Sequence, residues 1–80
     1  MSWFVYIIEA SDSSLYTGIT TDLKRRFKQH KSGKGAKYFN GRSPRKFVYT
    51  EDADNRSSAS IREAQIKKLS KAQKLQLISA

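Results

Sequence analysis

The chain has no cysteine, only one proline and only four glycines among its 80 residues. Without cysteine, disulfide bonds and thiolate-bound metal centres are both excluded as supports for a small fold. A chain of this length corresponds to one small domain, which buries only about 60% of the surface that its unfolded chain exposes. The core must come from the 38% of residues that are hydrophobic. We therefore expect one domain over residues 1–80, with one sheet and a few helices.

Long hydrophobic runs are also missing. The first apolar run covers only residues 3–8 and follows no basic leader. A secretory signal needs about 7–15 apolar residues and a membrane-spanning helix about 20. We therefore expect no membrane partner and a cytoplasmic protein, which the absence of cysteine also favours.

Acidic residues are scarce beside basic ones. There are 7 Asp and Glu against 16 Lys and Arg, which gives a net charge of +9. An excess of this size in a small domain predicts a polyanionic partner, and nucleic acid is favoured over an anionic membrane surface. The alternative is a soluble surface with a basic bias. The composition thus predicts a nucleic-acid partner and, with the expected cytoplasmic location, association with the nucleoid.

The residue pattern predicts an α+β fold, with a small three-stranded antiparallel sheet flanked by helices in the order β-β-α-β-α-α. Aromatic and β-branched residues predict the strands, and polar capping residues predict where the helices begin. Residues 31–46 hold three of the four glycines and the only proline, so they are predicted to form a long, exposed, basic loop. The predicted strands are Trp3–Ala10, Leu15–Thr20 and 46–50, and the predicted helices run from a cap at Thr20 or Thr21 to about Ser32, from about 57 to 69, and from a cap at Ser70 to about Ile78.

The first predicted helix places one basic residue, Arg26, beside its apolar face. At 100° per residue, Leu23, Phe27 and His30 share a face with Arg26. Arg25 lies on the opposite, solvated side and is the natural control for Arg26. The plain alternative is an arginine stem packed along the core edge with its guanidinium in water, beside a structural histidine.

Two tripeptides of the predicted hairpin, Phe-Val-Tyr at 4–6 and Tyr-Thr-Gly at 16–18, resemble the motifs of the GIY-YIG nuclease superfamily. Arg26 before an aromatic residue and Glu63 on the second helix extend the resemblance over nearly the whole chain. The segments 32–38 and 42–44 look like the small single-domain bacterial branch, which is related to structure-specific Slx-type nucleases. Phe4 replaces the first motif's glycine, Thr17 stands where Ile or Val is common, and no clear equivalent of a later family asparagine follows Glu63.

The resemblance implies a metal-dependent endonuclease that hydrolyses DNA phosphodiester bonds with low sequence specificity, at branched, nicked or single-stranded structures, as in DNA repair. It implies that Glu63 binds Mg²⁺ or Mn²⁺, which such sites hold through one carboxylate and several waters. Arg26 would stabilise the phosphoryl oxygens through paired hydrogen bonds. It also implies that Tyr6 activates the water, Tyr16 orients the site, and His30 relays a proton or contacts phosphate.

The basic loop is the expected DNA track. Its glycines let backbone N–H groups approach phosphates, and its lysines are point charges that position a substrate without reading its sequence. Gly18 would likewise permit close approach of the backbone to phosphate. The residues predicted to contact nucleic acid are Gly18, Lys34, Lys37, Tyr38 and Arg42.

Alternatives remain open at two levels. The chain could be a catalytically silent nucleic-acid-binding module, or a nuclease subunit that needs a protein partner. Glu63 could form a plain surface pair with Lys67. A four-residue hairpin loop would put Tyr6 and Tyr16 on opposite faces of the sheet as packing residues, whereas an odd loop or a bulge would put them on one face, which the nuclease interpretation requires.

Overall fold

The computed structural model describes residues 2–80. It confirms the α+β class and the order β-β-α-β-α-α, with one additional short 3₁₀ turn before the third strand. The three strands form an antiparallel sheet in the order β2-β1-β3, so the first strand is central. The elements are β1 (Trp3–Ala10), β2 (Leu15–Thr20), α1 (Leu23–Lys31), the 3₁₀ turn (Lys37–Phe39), β3 (Pro44–Ala53), α2 (Arg56–Lys67) and α3 (Lys71–Ser79).

The hairpin between β1 and β2 has a three-residue loop, residues 11–13. Ala10 N–H donates to the carbonyl of Ser14 at 2.8 Å, and Ser13 adopts a left-handed φ of 67°. In the resulting register Tyr6 lies opposite Gly18, and Ile8 lies opposite Tyr16. Because facing residues share a side of the sheet, the two tyrosines lie on one face. The four-residue loop considered from the sequence is wrong, and the odd-loop alternative is confirmed.

The central strand β1 is buried on both faces. Val5 and Ile7 point to one side and form a core with Ala59 and Ile66 of α2, against which α3 also packs. Alternate residues of a strand point to opposite faces, so the intervening side chains pack on the other side. That second core contains the buried residues Tyr6, Ile8, Ala10 and Phe39, against which α1 packs.

Each helix begins at a polar cap. The Asp22 carboxylate accepts a hydrogen bond from Arg25 N–H at 3.0 Å, so the cap of α1 is Asp22 rather than Thr20 or Thr21. Thr20 supports this start by accepting from Asp22 N–H. Helix α2 begins one residue earlier than predicted because Asn55 caps it, and the predicted cap of α3 at Ser70 is confirmed.

The segment between α1 and β3 differs from the predicted exposed loop. The turn Lys37–Phe39 inserts Phe39 into the core, where it is only 5% exposed. Strand β3 also begins at Pro44, earlier than predicted, because β1 is long enough to pair Ala10 with it. Proline is tolerated there because it is the first residue of the strand. Among residues 2–80 no helix has the length and apolar character to cross a lipid bilayer.

Candidate active site

The first tyrosine motif ends in a buried pair of polar side chains. Tyr6 Oη lies 2.7 Å from His30 Nε2, and the two residues are 0% and 1% exposed. Tyr6 comes from the centre of β1 and His30 from the last turn of α1, where the helix crosses the second core. The sequence-predicted residues Tyr6 and His30 are thus brought into direct contact.

The backbone around His30 sets its tautomer. Ala36 N–H donates to His30 Nδ1 at 3.4 Å. A ring nitrogen that accepts a hydrogen bond carries no proton, so the proton of the neutral imidazole resides on Nε2. His30 therefore donates to Tyr6 Oη, and the hydroxyl proton of Tyr6 remains free for another acceptor.

Burial controls the charge states of this pair. Burial, reinforced by the charge of Arg26, lowers the pKa of His30 from 6.5 to about 4. Burial likewise raises the pKa of Tyr6 to about 12, an effect that Arg26 opposes through a polar contact and its charge. The charge interactions of Tyr16 and Glu63 raise the pKa of Tyr6 further. Both side chains are neutral at pH 7, so their hydrogen bond joins two neutral groups.

Gly18 and Gly35 carry no side chain, and the space that a side chain would fill is taken by neighbouring aromatic rings. A Cβ on Gly18 would lie 2.5 Å from Tyr6 Oη and 3.1 Å from Tyr16 Cε2. A Cβ on Gly35 would collide with the ring of His30. Gly18 therefore lies beneath the two tyrosine rings, and its direct contact with nucleic acid stays a prediction. The role of Gly35 was missed, because only the fold shows which ring lies above it.

Tyr16 lies at the outer side of the same cluster. Its ring centroid is 6.3 Å from that of Tyr6 and 5.3 Å from that of His30. On the other side it packs against the rings of Tyr38 and Phe39, at 5.1 and 5.2 Å. Tyr16 is partly exposed, so it links the buried pair to the surface.

Arg26 lies beside the pair with an unused donor. Its Nη1 donates to Gln29 Oε1 at 3.1 Å. Its Nε is buried and has no hydrogen-bond partner among residues 2–80. A buried donor without a partner costs about 1–3 kcal/mol, more for a charged group, so this donor calls for a partner that the protein does not supply, such as water, an ion or a substrate. This position confirms that Arg26 shares the His30 face of α1.

Glu63 lies on α2, the helix that packs on the Val5 and Ile7 side of the sheet. Its negative charge is the smallest of the effects that shift the pKa of Tyr6. It also forms the predicted pair with Lys67, at 3.5 Å, and its side chain is 23% exposed.

The predicted nucleic-acid residues flank the tyrosine cluster. The Arg42 guanidinium lies 4.3 Å from the centre of the Tyr38 ring and 3.5 Å from the Asp12 carboxylate. These contacts hold Arg42 beside the ring cluster that contains Tyr16. Lys34 and Lys37 are exposed on the same segment.

Residues 2–76 match the profile of the family described as the GIY-YIG catalytic domain. The chain belongs to this family. Curated GIY-YIG relatives include a UPF0213 protein of Clostridium perfringens, 53% identical over 96% of this chain and 83% of the relative. A UPF0213 protein of Syntrophus aciditrophicus is 54% identical over 94% of this chain and 87% of the relative.

Two solved structures share the fold of this chain. The solution structure of the UPF0213 protein BH0048 of Bacillus halodurans has a TM-score of 0.62 at 48% identity, over 99% of this chain and 84% of that one. The solution structure of protein EF2693 of E. faecalis has a TM-score of 0.65 at 36% identity, over 99% and 85%. Family membership implies endonuclease chemistry and a divalent metal.

A divalent cation could be held at this GIY-YIG site through one carboxylate. Among residues 2–80 no three His, Cys, Asp or Glu side chains cluster to form a protein cage. Mg²⁺ is commonly held by one or two carboxylates, several waters and a substrate phosphate, so a single glutamate suffices. Glu63 is a carboxylate whose side chain is 23% exposed, so it is a residue that could hold such an ion.

Proposed function

We propose that this chain is an endonuclease that hydrolyses DNA phosphodiester bonds with low sequence specificity, at branched, nicked or single-stranded structures, and that it requires Mg²⁺ or Mn²⁺. The observation that carries the proposal is the buried Tyr6–His30 pair beside the unpartnered Nε of Arg26. A neutral hydroxyl with a free proton and a guanidinium donor without a protein partner suit an oxyanionic substrate. Family membership supports DNA as the proposed partner, and the match over residues 2–76 supports residues 1–80 as one proposed catalytic domain.

Each side chain of the proposed site has a distinct task. Arg26 donates to non-bridging phosphoryl oxygens and stays charged at every relevant pH. Glu63 would hold the divalent cation, which as a Lewis acid stabilises charge on the phosphoryl group. Tyr16 orients the site from its exposed side.

Tyr6 is proposed to release its own hydroxyl proton to solvent when substrate and cation are bound, and then, as the phenolate, to accept the proton of the attacking water. Its raised pKa keeps the hydroxyl neutral before substrate binds. The hydrogen bond from His30 Nε2–H favours the phenolate form, because donors to an oxyanion stabilise it. Glu63 raises the pKa of Tyr6 through its negative charge and loses that effect once the charge is compensated. His30 therefore acts as a positioning residue that also prepares the tyrosine oxygen.

The test is a cleavage assay on labelled duplex, flap, branched and single-stranded DNA, with Mg²⁺, Mn²⁺ or EDTA. Glu63→Gln should abolish cleavage while binding survives, and Arg26→Ala should lower the rate by about 10²–10³, as the loss of one transition-state donor does in other enzymes. Arg25→Ala and Asp52→Asn are matched controls, because both side chains are exposed and neither forms an ion pair within residues 2–80.

The outcomes separate the proposal from its rivals. Metal-dependent cleavage that is lost in Glu63→Gln and retained in Asp52→Asn supports the proposed nuclease. Wild-type cleavage by Glu63→Gln would remove this residue as the metal ligand. Binding to every substrate without cleavage under any metal contradicts the proposal and favours the silent module. Cleavage that appears only after addition of cell extract favours the partner-dependent subunit.

A further inference from the structure

A concave surface outside the Tyr6–His30 pair lies between α1 and β3. It is a groove of about 490 Å³ with an aromatic floor made of Phe27 and Phe47. No acidic side chain of residues 2–80 lines it. Its rim consists of cations from both elements, namely Lys24, Lys28, Lys31, Arg45 and Lys46.

The rim carries charge that the protein does not neutralise. None of its four lysines forms an ion pair with any residue of the described chain, 2–80. Only Arg45 is engaged, by Glu9 at 3.5 Å and by the carbonyl of Ser11 at 3.1 Å. Three of the lysines belong to successive turns of α1 and span about 10 Å along its axis. The groove therefore complements a polyanion that runs along the helix.

The floor of the groove, formed by Phe27 and Phe47, presents flat apolar ring surface to a bound molecule. The Phe27 and Phe47 rings are 5.3 Å apart and inclined at 56°, and both are only partly buried. Phenylalanine has no polar group with which to read a base edge, but its face stacks with any unpaired base. Bases of a duplex are already stacked inside the helix, so only an unpaired base can reach this floor.

The groove is separate from the Tyr6–His30 site but adjoins it. With Leu23 set at zero, its α1 residues lie at roughly 40–140° around the helix, whereas Arg26 and His30 lie at roughly 300–340°. The ring of Phe47 packs edge-on against that of Tyr6 at 5.5 Å. The groove thus borders the proposed site through the contact between Phe47 and Tyr6.

We propose that the groove between α1 and β3 binds a single-stranded nucleic-acid segment, with a base on Phe27 and Phe47 and its phosphates on the flanking lysines. The inference deepens the proposed nuclease function and rests on it, because it assigns the unpaired strand of a branched or nicked substrate to this face of α1. An acidic peptide is the rival occupant that the charge alone would also attract.

The test measures binding of a labelled single-stranded oligonucleotide and of a duplex of equal length by fluorescence anisotropy in EDTA. The double variant Lys28→Ser/Lys31→Ser should weaken single-strand binding at least fivefold. It should also reduce the slope of log K against log salt by about 1.4, since each single-strand phosphate contact contributes about 0.7. Lys68→Ser/Lys71→Ser removes the same charge from exposed positions around the α2–α3 junction and should change the Kd less than twofold.

Phe27→Leu tests the aromatic floor. Leucine preserves the apolar packing of the helix but removes the stacking face, so single-strand affinity should fall at least threefold while duplex affinity changes little. Circular dichroism checks that this variant folds, and the lysine variants decide the question if it does not.

Three results would overturn the inference. The first is an equal loss of affinity in the two lysine double variants, which would indicate a diffuse charge effect. The second is an equal loss for single strand and duplex. The third is an oligoglutamate peptide that binds in a Lys28- and Lys31-dependent manner where the oligonucleotide does not.

The experiments distinguish failure of the groove proposal from failure of the nuclease proposal. Single-strand binding that depends on Lys28 and Lys31, without metal-dependent cleavage, would sustain the groove and remove the nuclease. Glu63-dependent cleavage, with single-strand binding unaffected by the lysine changes, would sustain the nuclease and remove the groove.

Discussion

The stability of this fold should fall as the pH drops from 7 to 4, because of its single histidine. His30 is 1% exposed, and burial together with the charge of Arg26 lowers its pKa from 6.5 to about 4. The imidazole is thus easier to protonate in the unfolded chain than in the folded one. Between these two pKa values the unfolded chain binds more protons, so the free energy of unfolding decreases as the pH falls through that window. Above pH 6.5 the contribution is fully present.

The size of the effect follows from the two pKa values. One pKa unit corresponds to about 1.4 kcal/mol, so the shift of His30 corresponds to a loss of about 3 kcal/mol on going from pH 7 to pH 4. Roughly half of that loss should already be present near pH 5.5. Small domains unfold with a free energy of roughly 5–15 kcal/mol, so a change of this size is easily measured by urea denaturation followed by circular dichroism.

A variant and a spectroscopic signal isolate the effect from the carboxylates. His30→Gln should lack this part of the pH dependence, so the difference between wild type and variant reports the histidine alone. Because the chain has one histidine, its Cε1 proton gives a single NMR signal that reads the pKa directly. An imidazole that titrates at pH 6.5 or above in the folded protein, or parallel pH profiles for wild type and His30→Gln, would refute the reasoning.

Two further predictions concern β2. Gly18→Ala should abolish cleavage and lower the free energy of unfolding by about 1–3 kcal/mol, because the new Cβ would meet Tyr6 at 2.5 Å and Tyr16 at 3.1 Å. Thermal melts measure the effect on stability, and an unchanged melting temperature would contradict the close packing. Thr17→Val should raise the free energy of unfolding by about 1–2 kcal/mol, because Thr17 is 2% exposed and its Oγ1 has no partner among residues 2–80. The control is Thr50→Val, because Thr50 is exposed on β3. A Thr17→Val protein that is less stable than wild type would show that the Thr17 hydroxyl does have a hydrogen-bond partner.

The order of the elements could be predicted because it depends on local patterns. The aromatic and β-branched residues of β1, and the polar residues at the helix starts, express preferences of short segments. The shared face of Arg26 and His30 follows from the helical period alone. The predicted roles of Tyr6 and Glu63, by contrast, came from the family motifs and not from the residue pattern.

Element ends were less predictable because neighbouring segments determine them. Strand β3 starts at Pro44 because Ala10 is there to pair with it. The composition of the segment before β3 predicts an exposed basic loop, yet Phe39 is buried because it packs against aromatic rings of the second core. The capping residue of α1 was misjudged because Thr20, Thr21 and Asp22 all suit that position, and only the backbone geometry distinguishes them.

By itself, the sequence determined the fold class, the basic charge and which residues were candidates for catalysis. Only the tertiary structure decided that Tyr6 and Tyr16 share a face, through the left-handed Ser13 in a three-residue loop. It also decided the Tyr6–His30 hydrogen bond, which joins residues 24 positions apart, and the groove between α1 and β3. The reason is physical: propensity and periodicity act over a few residues, whereas burial, pKa and hydrogen-bond partners depend on which distant segments pack together.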